Sequence, residues 1–215
     1  MTTISAPHTT ALTTELRYLA LGDSYTIGEA VDEAGRWPMQ LARLLRQEGV
    51  LLGDPRIIAT TGWTTDELDA AITAAEPLGQ HDFVSLLIGV NNQYRGREVE
   101  EYRTQFAALL WRAIGFAGNR PDRVLVLSIP DWGVTPFGAN SGRDAAQIAR
   151  ELDAYNLAAR EACTQRGVAF VDITPVSRAR GAEPAMVADD GLHPSAAMYT
   201  EWARLAFPVA HRLLA

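Results

Sequence analysis

The sequence has no lysine and only one cysteine, Cys163, among its 215 residues. A single cysteine excludes an intrachain disulfide and a zinc site built on several thiolates. All 19 basic residues are arginine, and 26 acidic residues outnumber them, so the formal net charge is −7. This balance gives the chain no general attraction for polyphosphates. We therefore expect no nucleic-acid partner.

Long apolar runs are missing as well. No stretch approaches the ~18 apolar residues of a membrane span. The N-terminal residues 1–16 have neither the basic nor the apolar region of a signal peptide. These absences predict a cytoplasmic protein without a membrane span. We expect the threonine-rich residues 1–16 to form a flexible arm, followed by a single domain over residues 17–215.

Sequence patterns that hold cofactors are absent too. The four histidines have no metal-ligand spacing, and the chain contains neither a phosphate-binding Walker loop nor a dinucleotide fingerprint. The Gly-x-Ser-x-Gly pattern of α/β-hydrolases does not occur either. We therefore expect no metal and no cofactor, and any nucleophilic serine must sit in another kind of turn.

Five short apolar segments alternate with longer segments of helical periodicity. Parallel strands need long crossovers of this kind, so the pattern predicts an α/β fold with a five-stranded parallel sheet. We predict strands over 17–23, 55–60, 81–89, 123–129 and 168–172, and helices over 34–49, 64–76, 98–117, 143–165 and 195–214. Residues 130–142 and 174–190 are expected to be irregular. Pro208 is expected to kink or split the last helix.

Ligands of such sheets bind beyond the C-terminal ends of the strands. The loops predicted at that edge are 22–28, 60–64, 89–96, 130–142 and 173–194. They carry Ser24, and they also carry His193 with acidic residues just before it. A serine hydroxyl becomes nucleophilic when a histidine, oriented by a carboxylate, removes its proton. They also carry candidate donors for an oxyanion, a glycine N–H and an asparagine amide. Both Asp189 and Asp190 precede His193, and the three-residue spacing favours Asp190.

Four sequence blocks occur in a fixed order: Gly22-Asp23-Ser24, Gly62, Gly89-Val90-Asn91-Asn92 and Asp190-Gly191-Leu192-His193. In this order they resemble the GDSL or SGNH hydrolase family. The resemblance implies a flavodoxin-like three-layer α/β/α sandwich. It also implies a hydrolase that acts on esters or related acyl groups without a metal.

The resemblance further implies a role for each block. Ser24 would be the nucleophile, His193 the general base and then acid, and Asp190 the group that orients His193. The oxyanion hole would consist of the Ser24 N–H, the Gly62 N–H and the Asn91 side chain. Asn92 departs from the family pattern, which has aspartate there, so its hydrogen bonds are expected to differ because an amide both donates and accepts.

Each of these residues also has a plainer interpretation. Ser24, Gly62 and Asn91 are residue types common in turns and caps, and Asp23 is expected to bind backbone in its own loop. Core packing is the default for aromatic residues, but at the mouth of a site they often form an apolar wall. We expect at least two of four to line an acyl or alcohol pocket: Trp63, Tyr94, Trp132 and Phe137. Arg95 and Arg97 are expected to have surface roles.

The sequence thus predicts a serine hydrolase that cleaves small-molecule carboxylic esters through a Ser24-His193-Asp190 triad and an acyl-enzyme. An acyltransferase with the same triad is one alternative, and a ligand-binding module without catalysis is another. Short-chain esters, acetylated sugars, lysophospholipids and thioesters all remain open as substrates. The sequence does not specify the oligomeric state.

Overall fold

The computed structural model describes residues 15–215, which contain one sheet of five parallel strands. The sheet has the order β2-β1-β3-β4-β5. The strands are β1 Tyr18–Gly22, β2 Arg56–Ala59, β3 Phe83–Leu87, β4 Val124–Leu127 and β5 Ala169–Val171. This is the order of flavodoxin-like proteins, and the predicted fold class is confirmed.

Burial along the strands follows their place in the sheet. Every residue of the central strands β1, β3 and β4 is buried, whereas the edge strands β2 and β5 are partly exposed. The register pairs Leu21 of β1 with both Ile58 of β2 and Leu86 of β3. A central strand of a parallel sheet meets strands on both edges and helices on both faces, which explains its continuous apolar sequence.

Two groups of long helices flank the sheet. In one group α2 packs against α9; in the other α5 packs against both α3 and α7. Fully buried side chains anchor both groups, including Trp37 and Trp202 in the first and Tyr102 and Phe106 in the second. The helices are α2 Trp37–Gln47, α3 Thr65–Ala75, α5 Val99–Phe116, α7 Ala145–Arg166 and α9 Ala196–Leu214.

Four short helices lie in the loops beyond the C-terminal ends of the strands: α1 Ser24–Ile27, α4 Val90–Tyr94, α6 Pro136–Asn140 and α8 Thr174–Arg180. The expectation that 130–142 and 174–190 lack helices was therefore wrong. These helices have four to seven residues, too few to show an apolar period in sequence. Single 3₁₀ turns complete the structure at Glu33–Gly35, Pro121–Arg123, Trp132–Val134 and Pro184–Met186.

The last helix is not split at Pro208. Helix α9 is continuous from Ala196 to Leu214. Proline lacks the N–H that would bond the carbonyl four residues earlier, which belongs to Arg204. Because Pro208 and Arg204 both lie on the exposed face of α9, water can satisfy that carbonyl and the helix tolerates the proline.

The fold reaches back at least to Leu16. Its N–H donates to the Leu51 carbonyl at 2.7 Å, and its own carbonyl accepts from the Gly53 N–H at 2.9 Å. Most of the predicted arm, residues 1–14, lies outside the described residues. Among residues 15–215, no helix is long and apolar enough to cross a bilayer.

The strand order positions the candidate site. Crossovers run to opposite sides from β1 and β3, and in open parallel sheets ligands bind in the crevice where the order reverses. The Ser24 segment follows β1 directly, and the Asn91 segment follows β3. The two blocks therefore leave the sheet side by side at this crevice.

Candidate active site

A cavity of about 190 Å³ opens at the crevice between β1 and β3. It brings together most of the residues that the sequence singles out, from all of the predicted edge loops. The site residues Asp190 and Trp63 do not line it. Its walls are formed by Ser24, Tyr25, Thr61, Gly62, Val90, Asn91, Tyr94, Trp132, Phe137, Leu192 and His193.

The turn after β1 presents Ser24 at the start of α1. Only a residue without a side chain fits at Gly22 in this turn. A Cβ there would overlap Thr26 Oγ1 and the carbonyl oxygen of Leu87 on the neighbouring strand. Asp23 caps the helix, and its Oδ1 accepts from the Tyr25 N–H at 3.1 Å. Ser24 is therefore the first helical residue, and backbone N–H groups in a first turn have no intrahelical acceptor.

Asp23 serves its own loop, as the sequence predicts, and it does so without contact with solvent. Its side chain is fully buried, and Oδ2 has no hydrogen-bond partner among residues 15–215. Burial raises the pKa of the Asp23 carboxyl to about 7, against the lowering effect of nearby backbone N–H groups, that of Tyr25 foremost. A buried carboxyl with one unpaired oxygen favours the protonated form.

His193 and Asp190 form a hydrogen-bonded pair. His193 Nδ1 lies 2.6 Å from Asp190 Oδ2, while Oδ1 of the same carboxylate accepts the N–H groups of Leu192 and His193, each at 2.9 Å. The loop closes on itself, since the Ala188 N–H donates to the His193 carbonyl at 2.8 Å. The imidazole is thus held by its Nδ1 side, which leaves Nε2 as the nitrogen available to the cavity.

Asp190 is the acid that the geometry supports over Asp189. Partial burial acts to raise the pKa of the Asp190 carboxyl. The hydrogen bonds from the His193 ring and from two backbone N–H groups act to lower this pKa, and their effect is the larger. The pKa of Asp190 therefore lies below its ordinary value. Asp189, by contrast, makes no hydrogen bond to His193 within the described chain. An ionised carboxylate at Nδ1 suits a histidine that must accept a proton at Nε2.

Gly62 and Asn91 meet across the crevice. Gly62 has φ +89°, a left-handed conformation that favours glycine. Asn91 Nδ2 donates to the carbonyl of Trp63, the next residue, at 2.9 Å. An asparagine amide has two N–H groups, so the second remains available beside the Gly62 segment.

Arg95 also binds this segment, a contact that the sequence does not reveal. Its Nη2 donates to the Gly62 carbonyl at 2.6 Å, and its Nη1 pairs with Glu67 at 3.1 Å. The expectation of a surface role was therefore incomplete: the side chain is half exposed, yet it holds the backbone of a candidate oxyanion residue. Arg97 instead pairs with the carboxylates of Asp66 and Glu101.

Three of the four predicted aromatic residues form one wall of the cavity. Tyr94 lies 5.4 Å from Trp132 between ring centroids, and Phe137 lies 6.0 Å from Trp132. Trp63 does not belong to this wall. Its ring packs against the hydrophobic core, and only its backbone carbonyl reaches the site, through Asn91.

The Ser24 hydroxyl and the His193 ring face the same cavity but are not hydrogen-bonded to each other in this structure. Catalytic hydrogen bonds are often long in ligand-free enzymes and tighten when substrate binds. Within the described ranges, no three histidine, cysteine or acidic side chains cluster as metal ligands would. The site thus offers a hydroxyl, an oriented imidazole and several hydrogen-bond donors.

Comparison with known protein families assigns the chain to one of them. The family model of the GDSL-like lipase/acylhydrolase family matches residues 20–200. The chain belongs to this family. The match contains all four sequence blocks, from Gly22 to His193, in their order along the chain. No curated protein matches the sequence significantly.

Solved structures share the GDSL-like fold at low sequence identity. TesA is 21% identical, with a TM-score of 0.70 over 92% of this chain and 99% of its own. The lipase/acylhydrolase from Enterococcus faecalis is 20% identical, with a TM-score of 0.68 over 93% and 98%. Axe2, an acetylxylan esterase from Geobacillus stearothermophilus, is 20% identical, with a TM-score of 0.68 over 91% and 94%. At these identities the likeness shows the fold alone.

Asn92 departs from the usual aspartate of GDSL-like proteins, and its contacts use both halves of its amide. Oδ1 accepts the Thr65 N–H at 3.0 Å, and Nδ2 donates to Thr65 Oγ1 at 2.7 Å. The Thr65 hydroxyl then donates to Gln105 Oε1. Both Asn92 and Thr65 are fully buried. An amide therefore joins the segment after β3 to the start of α3 without burying a charge.

We predict that Asp23→Asn flattens the pH dependence of stability. The folded-state pKa of Asp23, about 7, lies above the unfolded value of about 3.9. The folded protein therefore binds this proton more tightly, and the group's contribution to stability falls as pH rises from about 4 to 7. Between pH 5 and 8 the wild type should lose roughly 2–3 kcal/mol relative to Asp23→Asn.

Urea unfolding of both proteins at several pH values measures this difference. Asparagine keeps an acceptor for the Tyr25 N–H, so the cap is preserved in the variant. Other titrating groups, including Asp190, are common to both proteins and cancel in the comparison. Parallel stability curves for the two proteins would show that Asp23 is ionised in the fold at neutral pH.

Proposed function

We propose that this protein is a serine hydrolase that cleaves small-molecule carboxylic esters by two-step acyl transfer. The observation that supports this best is the convergence on one cavity of Ser24, His193, Gly62 and Asn91. Asp190 Oδ2 lies 2.6 Å from Nδ1 of the His193 imidazole. A triad is recognised by such geometry and roles rather than by spacing alone.

In the first step Ser24 Oγ attacks the ester carbonyl while His193 Nε2 takes the hydroxyl proton. Asp190 keeps Nδ1 protonated and stabilises the imidazolium that forms. The same nitrogen then gives its proton to the alcohol, which leaves, and an acyl group remains on Ser24. In the second step His193 activates a water that releases the acid and restores the serine.

The negative charge that develops on the carbonyl oxygen needs donors already in position. Three candidates surround the cavity: the Ser24 N–H, the Gly62 N–H and the second N–H of Asn91. The backbone of Gly62 is fixed by its carbonyl bond to Arg95, and Asn91 is fixed by its bond to the Trp63 carbonyl. Donors held in this way reorganise little during the reaction, which is the source of oxyanion stabilisation.

Replacing the nucleophile tests this proposal. Ser24→Ala should lower kcat for a p-nitrophenyl ester by about 10⁴-fold or more, because the acyl-enzyme cannot form. Ser141→Ala serves as a matched control, since Ser141 lies in another loop at the same edge but outside the cavity wall. Retained turnover by Ser24→Ala would show that Ser24 is not the nucleophile. If the wild type shows no turnover, a binding module is favoured instead.

A pair of arginine variants tests the oxyanion geometry. Arg95 and Arg97 each pair with an acid at the start of α3, but only Arg95 reaches the Gly62 carbonyl. Arg95→Met should lower kcat about tenfold with little change in KM, less than the 10²–10³-fold typical of deleting a donor. Arg97→Met should leave kcat nearly unchanged. Equal effects of the two substitutions on kcat would argue that Arg95 acts only through its charge.

A further inference from the structure

The cavity that holds Ser24 is separated from a second, smaller cavity by a wall of shared residues. The second cavity has a volume of about 20 Å³, enough for a water molecule. Tyr25, Trp132, Leu192 and His193 line both cavities. Beyond the wall, the second cavity is lined largely by apolar side chains, including Met186, Met198 and Trp202.

Trp132 is the largest side chain in this wall, and it is fixed at its edge. Its Nε1 donates to Gln93 Oε1 at 2.8 Å. Gln93 Nε2 in turn lies 2.5 Å from Glu151 Oε2, which also accepts from Arg143 Nη2 at 2.6 Å. Gln93 and Trp132 are each 2% exposed. The indole therefore cannot swing aside without leaving buried polar atoms unpaired, which is unfavourable.

The faces and the backbone of Trp132 are held as well. The Arg143 guanidinium lies 5.4 Å from the ring centroid, a cation–π distance. Tyr94 packs edgewise at 5.4 Å on the cavity side. The preceding residue, Asp131, accepts from the Gly133 N–H at 2.9 Å and from Arg178 Nε at 2.8 Å. Trp132 is thus held in place within this wall by contacts at its edge, its faces and its backbone.

We propose that Trp132 limits the acyl group of the substrate to a short apolar chain by closing the cavity at this wall. This inference rests on the proposed ester hydrolysis at Ser24. A volume of about 190 Å³ lies below the 300–1,000 Å³ of sites that enclose drug-sized ligands. The aromatic side chains of Tyr94, Trp132 and Phe137 offer no charged group to an acyl chain. A short aliphatic acyl group therefore matches this part of the cavity best.

Two p-nitrophenyl esters that differ only in the acyl chain test the proposal. For the wild type, kcat/KM for the octanoate should be at least about tenfold below that for the butanoate, because a methylene that a pocket cannot accommodate costs about tenfold or more. Trp132→Ala should join the two cavities and raise the octanoate-to-butanoate ratio at least about tenfold. Phe137→Ala, which changes the first cavity only, should alter both rates by a similar factor.

Gln93→Leu tests the positioning role separately from the volume of the indole. It removes the acceptor of the Trp132 N–H and should raise the octanoate-to-butanoate ratio, by less than Trp132→Ala does. In the Trp132→Ala background the same substitution should leave the ratio unchanged, because the group that it positions is gone. An equal effect of Gln93→Leu in both backgrounds would contradict the positioning role.

The outcomes separate this inference from the function on which it rests. Labelling of Ser24 by a fluorophosphonate with an unchanged chain-length ratio in Trp132→Ala would overturn the role of Trp132 and leave the hydrolase intact. A wild type that cleaves neither ester and is not labelled would overturn both. If Trp132→Ala does not fold, as judged by its thermal midpoint, Trp132→Leu is measured in the same way, and an unchanged ratio there is equally decisive.

Discussion

All five strands run in the same direction, so each strand ends at the same edge of the sheet. This constraint organises the candidate site, because every residue proposed for chemistry lies in a segment that leaves that edge. The order β2-β1-β3-β4-β5 adds the position along the edge: β1 and β3 are neighbours, yet their crossovers run to opposite sides. A crevice opens between Ser24 and Asn91 as a result, and the loop with His193 forms a further part of its lining.

Polar contacts then fix the geometry that the sheet only approximates. Residues 62–65 are held from the facing segment by three side chains, Asn91, Asn92 and Arg95. On the other side the His193 ring is held by the Asp190 carboxylate. These groups are held by hydrogen bonds to backbone atoms, to neighbouring side chains or to one another. A preorganised site needs this kind of support because small displacements of reacting groups cost large factors in rate.

The central strands and the His193–Asp190 pair could be predicted because their signals are local. The run Phe83–Leu87 shows a strand buried on both faces, and a spacing of three residues lets one loop present an acid to its histidine. The short helices could not be predicted, since helices as short as α4 show no period. Nor could the Arg95–Gly62 and Gln93–Trp132 contacts, which join residues 33 and 39 positions apart. Such pairs form only when the strands have been ordered, and residue type alone does not specify them.

We propose that Ser24 is a nucleophile activated by His193, and covalent trapping is the sharpest test of this role. The protein is treated with a fluorophosphonate, and intact-mass and peptide mass spectrometry locate the adduct. We expect one equivalent on Ser24 in the wild type, none in Ser24→Ala, and much slower modification in His193→Asn. An unmodified wild type, or an adduct on a different residue, would contradict it.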